Sequence, residues 1–315
     1  MRTPRSIPKI PLFLCVLLVL VVGYAYRVYR GPVTDVSQSE PVNTVFGTIA
    51  PDAVPAIHDP AFESVASADQ YLNNDGMGIA VSLNGISKFY PYQLLVWHHL
   101  VNDTFGSDPV LISFHPFAMS GAAYVREVNG APVAFGLSNK LANSGLLLYD
   151  RATRSFWDPM THTAVEGEKT GTVLARVPSA VMTWTAYKAL YPSGSVLSRK
   201  TGFARDYTHD PYGNYRFGPD ILFPVTFKDD RLAAKERIYG IEWKQTQKAY
   251  PFTLIEKQER IEDVLAGESV TIEYDAKTGI VRAFTSGATR REIPVTPSFW
   301  FTWAAAFPGT EVFKK

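Results

Sequence analysis

Thiols are nearly absent from this chain: Cys15 is the single cysteine among 315 residues. It lies inside the apolar run PLFLCVLLVLVVGYAY, so the rest of the chain can hold no disulfide, no zinc ribbon and no cysteine nucleophile. An excess of either charge is also missing. With 31 basic and 30 acidic residues the formal net charge is +1, and whole-chain electrostatics favour neither nucleic acid nor an acidic ligand. There is no G-x-x-x-x-G-K-[ST], no G-x-G-x-x-G, no H-E-x-x-H and no G-x-S-x-G, which removes the phosphate-loop, dinucleotide, zincin and nucleophile-elbow signatures. Lys-Thr-Gly occurs three times, at 169–171, 200–202 and 277–279, but the only S-x-x-K is Ser6 to Lys9, ahead of the apolar run, so these triplets read as turns.

What is present divides the chain by character. The apolar run covers about seventeen residues, from Ile10 to Tyr26, the short end of what spans a bilayer. Arg2, Arg5 and Lys9 precede it, a bias that leaves the N-terminus in the cytoplasm and predicts an uncleaved transmembrane helix with the remaining chain on the extracytoplasmic side. Residues 1–30 are therefore expected to be cytoplasmic tip and anchor, and 31–60, rich in Pro, Val, Ser and Thr without a period, a linker.

Beyond the linker, short runs such as GIAVSL, PVLISF and GLLLYD alternate with turn clusters, a β-rich pattern. Helices are predicted over Tyr92 to Val101, Thr183 to Leu190 and Thr302 to Phe307. The chain also resembles itself. SKFYPYQLL (87–95) matches QKAYPFTLI (247–255), and nineteen residues beyond Pro91 and Pro251 begin the strands VLISF and VTIEY. TWTAYKALYPSGSVL (183–197) likewise matches FWFTWAAAFPGTEVF (299–313). The spacing from Pro91 to Trp184 is 93 residues and from Pro251 to Trp300 it is 49, so 44 extra residues belong to the first copy. The expected fold is β-rich α+β, built as two related lobes by a degenerate internal duplication: 61–235 with an inserted segment, and 236–315.

Three of the six histidines, His98, His99 and His115, fall within eighteen residues. Aligning Pro91 with Pro251 sets them opposite Gln258, Glu259 and Asp275, so none recurs, and polar counterparts suggest positions facing a cleft or solvent. On a helix running to Val101, His98 and Asn102 share a face, and His115 ends a strand before Pro116. His98 and His115, with His99 as a possible third, could bind copper, zinc or iron. The bland alternative is imidazoles hydrogen-bonded to backbone at a helix–strand junction. In the inserted segment Ser138, Asn143, Asp150, Arg151 and Trp157 complete a candidate cleft, although Asp150 and Arg151 equally suit a turn cap.

The runs DGMGIAVSLNGISKFYPYQLLVWHHLVNDTFGSDPVLISFHP, FGLSNKLANSGLLLYDRATRSFWDPMTHTAVEG, TWTAYKALYPSGSVLSR and RDYTHDPYGNY resemble the bacterial and archaeal family called domain of unknown function 3179. The resemblance implies Cys-Pro-Leu-Cys, or selenocysteine in its first place, where this chain has His115-Pro116-Phe117-Ala118, and Trp-His-Glu where it has Trp97-His98-His99. Thiol exchange is thereby excluded here, because histidine can replace cysteine as a ligand but not as a redox atom. Two functional expectations remain: a membrane-anchored, non-catalytic binding or assembly module, or a transition-metal protein using His98 and His115.

Overall fold

The computed structural model describes residues 44–46, 50–287 and 290–314. Strand accounts for 44 % of the structure and helix for 13 %, and the strands form a five-bladed β-propeller arrangement. This corrects the expected α+β class. The described helices are seven residues long or shorter, too short to form a layer of their own.

The expected two lobes are corrected as well. Blade 1 orders its strands Arg176–Val177, Ser120–Val125, Asp108–His115, Leu100–Phe105 and Ile57–His58; blade 2 orders Ser179–Thr183, Met77–Leu83, Ile86–Pro91, Ser195–Leu197 and Phe62–Ser64. In the second half of the chain, blade 4 (Val295–Phe299, Arg237–Trp243, Thr246–Pro251, Glu311–Val312) has the order of the first four strands of blade 2. Blade 5 (Glu292–Ile293, Ile280–Thr285, Glu268–Asp275, Arg260–Leu265) has that of the first four strands of blade 1. Each repeat therefore supplies two blades of one ring. The segment particular to the first copy supplies four strands of blade 3, Phe135–Ala142, Gly145–Asp150, Phe156–Asp158 and Thr163–Glu166, and Thr44–Phe46, which precedes the repeat, pairs with Phe135–Ala142 at one edge.

A lobe boundary is impossible because the copies share a core. Ala118 and Met160 pack in one cluster with Ile238, Ala249, Trp300 and Trp303, and Ile280 packs with Phe89 and Trp184. Phe299 N–H donates to Ala118 O at 2.8 Å, and Arg176 donates to Thr296 Oγ1 at 2.7 Å and Val295 O at 3.1 Å. The copies fill equivalent space with different side chains. Phe89 stacks on Tyr187 at 4.8 Å in the first, whereas in the second the smaller Ala249 faces the larger Trp303.

Local chemistry sets the ends of the elements. The helix Tyr92–His98 stops three residues before its predicted end because His99 takes φ 59° and its N–H closes on Leu95 O at 2.7 Å. Its counterpart Phe252–Gln258 ends identically at Glu259, φ 56°. Asn102 consequently lies on a strand, not on a helix face with His98. Thr183 caps Trp184–Leu190 through Ala186 N, at 3.2 Å. Packing also begins within the expected linker 31–60: Ala56 and Ile57 are buried, and Ile57 pairs with Val101. Among the described residues no helix is long and apolar enough to cross a membrane. The transmembrane helix expected within 1–30 lies outside the described residues.

Candidate functional site

The strands Asp108–His115 and Ser120–Val125 are antiparallel neighbours, with His115 opposite Ser120 and Ser113 opposite Ala122. Period-two alternation sends Ser113 and His115 to one face, together with Ser120, Ala122 and Tyr124. These five residues form the floor of a cavity of about 30 Å³. Its other walls are the turn at Ala142 to Gly145, the segment Asp158 to Met160, and Thr302 and Ala306. Asn143 (φ 48°) and Ser144 (φ 65°) make the two-residue turn that brings blade 3 against His115.

His115 is buried and both its nitrogens face backbone. Leu146 N–H donates to Nε2 at 3.0 Å, and Ala118 N–H approaches Nδ1 at 3.1 Å. A neutral imidazole accepts at only one nitrogen. Ala118 N–H has a second acceptor, His115 O at 3.1 Å, so the network assigns the lone pair to Nε2 and the proton to Nδ1. His98 is tied elsewhere: Nδ1 meets Pro55 O at 2.9 Å and Nε2 meets Tyr207 Oη at 2.7 Å. His99 Nε2 meets Tyr212 Oη at 2.8 Å, while its Nδ1 has no hydrogen bond of good geometry. The rings of His99 and His115 lie 6.5 Å apart, and those of His98 and Tyr207 5.8 Å apart. The structure thus brings His99 near His115 and gives His98 a separate set of partners. Among the described residues no three His, Cys, Asp or Glu side chains gather as a metal site.

Burial dominates the titration of these rings. Desolvation pushes His99 down to about 3, helped by the neighbouring His115 and His98, and pushes His115 down to about 4. His98 is also lowered by burial, against the opposing hydrogen bond to Pro55 O. Between an unfolded value near 6.5 and these folded values, the unfolded chain binds more protons, so stability is complete above about pH 6.5 and declines as the pH falls toward 4. The urea midpoint should drop steadily between pH 7 and pH 4.5, and His99→Gln should flatten that slope; a midpoint independent of pH would contradict the assignment.

The remaining candidates are held by the protein itself. Asn102 forms a two-way clasp on Phe135, donating from Nδ2 to its O at 2.9 Å and accepting from its N–H at 2.7 Å. Ser138 bonds to the backbone of Lys140. Asn143 accepts from Thr226 N–H at 3.0 Å and from Thr226 Oγ1 at 2.6 Å. Asp150 is fully buried and accepts from Thr153 N–H, Thr153 Oγ1 and Trp157 Nε1, at 2.6, 2.7 and 3.0 Å. Burial would raise the Asp150 carboxyl, but the hydrogen bonds from Thr153 and Trp157 prevail and lower it. Arg151 pairs with Asp52 at 2.9 Å. Of the residues singled out from sequence, only His115 and Asn143 border the cavity. Ser113, Ser120 and Asp158 were not singled out. The strand alternation that groups Ser113 with His115 was the available signal, whereas the approach of Asp158 depends on blade 3 folding back.

A second and larger cleft, about 300 Å³, opens near the end of blade 2. Met77, Pro91 and Val96 contribute apolar surface, and Asp75, Gln93 and Arg216 contribute polar groups. Gln93 Nε2 donates to Tyr207 O at 2.6 Å, and Trp97 Nε1 to His209 O at 3.2 Å, which holds the segment around Tyr207 to His209 as its wall. His209 and Asp210 also border this cleft.

His115 and Ala118, the positions where the resemblance implies sulfur, both line the small cavity. No curated protein matches the chain. No solved structure matches it either. One family model does match, over residues 51–296, under the description "Protein of unknown function (DUF3179)", and at that coverage the chain belongs to the DUF3179 family.

Proposed function

We propose that the protein is a non-catalytic binding module, held at the outer face of a membrane through the apolar run 10–26, that takes a small ligand in the cleft beside blade 2. The observation that carries this reading is a contrast in commitment. Both nitrogens of His98 and the accepting Nε2 of His115 are occupied by protein groups, whereas the 300 Å³ cleft has a volume suited to a small molecule and is lined by Asp75 and Arg216. A ligand with an apolar face and groups of both charge signs fits such a lining. The charge bias around residues 2–9 supports the outward orientation.

A fragment library screened by NMR against the purified chain tests this. Hits should move the indole signal of Trp97, which is bonded into the cleft wall, and should be weakened at least tenfold by Arg216→Glu or by Gln93→Ala. Hits that move only signals away from the cleft, or a library rich in zwitterions that yields none, would contradict the reading.

A further inference from the structure

Apolar surface is exposed unevenly on this chain. Among the described residues six large hydrophobic side chains are exposed, and three of them, Phe217 at 75 %, Ile221 at 37 % and Leu222 at 57 %, fall within six consecutive positions. Such a cluster marks a contact surface. The segment that carries it is clamped at both ends. On one side Tyr215 Oη donates to Phe117 O at 3.3 Å, and Lys235 Nζ donates to Tyr215 O at 2.6 Å. On the other, Ser144 Oγ donates to Phe223 O at 2.5 Å, Thr226 N–H donates to Asn143 Oδ1 at 3.0 Å, and the Phe223 ring packs edge-on against Phe117 at 5.2 Å. The fold therefore holds an apolar tip outward between two fixed points.

Position and chemistry both bear on what covers this tip. Thr44 pairs with Ala142, and the antiparallel register puts the N-terminal end of the strand Thr44–Phe46 at the Asn143–Ser144 turn. That turn is the one bonded to Phe223 and Thr226. Residues 27–43 link Thr44 to the apolar run 10–26 and span at most about 60 Å. The chain thus enters the propeller from the apolar run beside the exposed tip. No residue from Gly218 to Pro224 lies in a strand, and Pro219 and Pro224 have no backbone N–H, which opposes docking of a partner by strand addition. Arg216 and Lys228 are offset by Asp220 and Asp230, so the tip has no excess charge to draw an acidic or a basic partner. An aromatic ring with two branched apolar side chains suits the interfacial layer of a neutral bilayer.

We infer that Phe217, Ile221 and Leu222 dip into the surface of a zwitterionic lipid bilayer, a second contact beside the anchor that fixes which side of the ring faces the membrane. This rests on the membrane-anchored reading. Arg216 lies over the Phe217 ring at 4.7 Å and also lines the larger cleft, so the contact sets that cleft close to the lipid.

Spin-label accessibility on the full chain in phosphatidylcholine nanodiscs tests it. With Cys15→Ala as background, one label is placed through Leu222→Cys, and a reference label through Val264→Cys on blade 5, where the side chain is also exposed. The ratio of collisions with oxygen to collisions with a water-soluble nickel complex should be several-fold higher at 222 than at 264. Phe217→Ser with Ile221→Ser should bring the ratio at 222 down to the reference while the chain still co-elutes with the discs. A chain that co-elutes but keeps 222 as open to nickel as 264 would overturn the inference alone. Shielding of 222 from both reagents would also overturn it, because protein and not lipid would then cover the tip. A chain that does not co-elute with the discs would contradict the anchored reading, and the inference would fall with it.

Discussion

Replacing Asp103 by alanine is expected to lower the stability of the chain by about 3–5 kcal/mol, the usual cost of breaking a buried ion pair by removing one partner. Lys88 Nζ donates to both carboxylate oxygens of Asp103 at 2.9 Å and to Thr104 O at 2.8 Å, and the Tyr90 hydroxyl donates to the same carboxylate. The carboxylate is 4 % exposed and the lysine 12 %, so the substitution strands an ammonium and a phenol in a site that water reaches poorly. The second repeat builds the same trio from Lys248, Tyr250 and Asp263, with Lys248 at 2.7 Å and Tyr250 Oη at 3.0 Å from the carboxylate. There Asp263 is 17 % exposed, and Lys248 also reaches Glu311 at 3.4 Å. Asp263→Ala should therefore cost clearly less than Asp103→Ala. Replacing the whole first trio by apolar residues, Lys88→Met with Tyr90→Phe and Asp103→Leu, should cost less than Asp103→Ala alone, since no charge is left unpaired. Denaturant midpoints at constant slope measure all three. A loss below about 1 kcal/mol for Asp103→Ala would mean that the pair is solvated.

The second large effect is expected at Gly240. A Cβ there would lie 2.2 to 2.4 Å from three atoms of the Trp303 ring. Gly240 is paired on both sides, with Ala249 and with Thr296, so the strand cannot retreat, and Trp303 is fully buried. Gly240→Ala should cost about 3 kcal/mol, the upper part of the usual range for overpacking. The first repeat suggests the remedy, because the position equivalent to Gly240 is Ala80 and that equivalent to Trp303 is Tyr187. Adding Trp303→Tyr to Gly240→Ala should recover part of the loss. A double-mutant cycle then reads a coupling of about 1 kcal/mol or more between the two positions. Strict additivity would show that the ring does not press on that strand.

Both predictions rest on the internal repeat, and the repeat marks how far the sequence could be read. Its matched segments reappear as matched strand orders, and Asp103 aligned with Asp263 is half of the trio; the Lys-x-Tyr in SKFYP and QKAYP was the other half, visible but not connected to it. What could not be read was how the copies sit together. Spacing along the chain does not say that Phe299 bonds to Ala118 or that Trp300 packs under Met160, and those contacts turn two expected lobes into one ring. The α+β expectation failed for a related reason: three predicted helices were correctly located, but each is seven residues long and serves only to turn a corner.

The histidines carry a similar lesson. Polar counterparts at Gln258 and Glu259 suggested that His98 and His99 face a cleft, yet His98 is completely buried and His99 1 % exposed. The lone helix-end signal could not reveal Tyr207 and Tyr212, more than a hundred residues away, which supply the bonding partners and make burial tolerable. Asn102 was expected beside His98 on a helix; the positive φ at His99 ends that helix, and Asn102 became the clasp between blades 1 and 3.

The most direct test follows the ring nitrogens themselves. In a long-range proton–nitrogen spectrum of the chain labelled with nitrogen-15 in histidine, His98 and His115 should each display one protonated and one accepting nitrogen at pH 7. Those signals should stay in place when one equivalent of zinc is added. Movement of both accepting nitrogens together on zinc addition would mean that the two imidazoles share a metal, and the reading of them as hydrogen-bonded structural groups would be wrong.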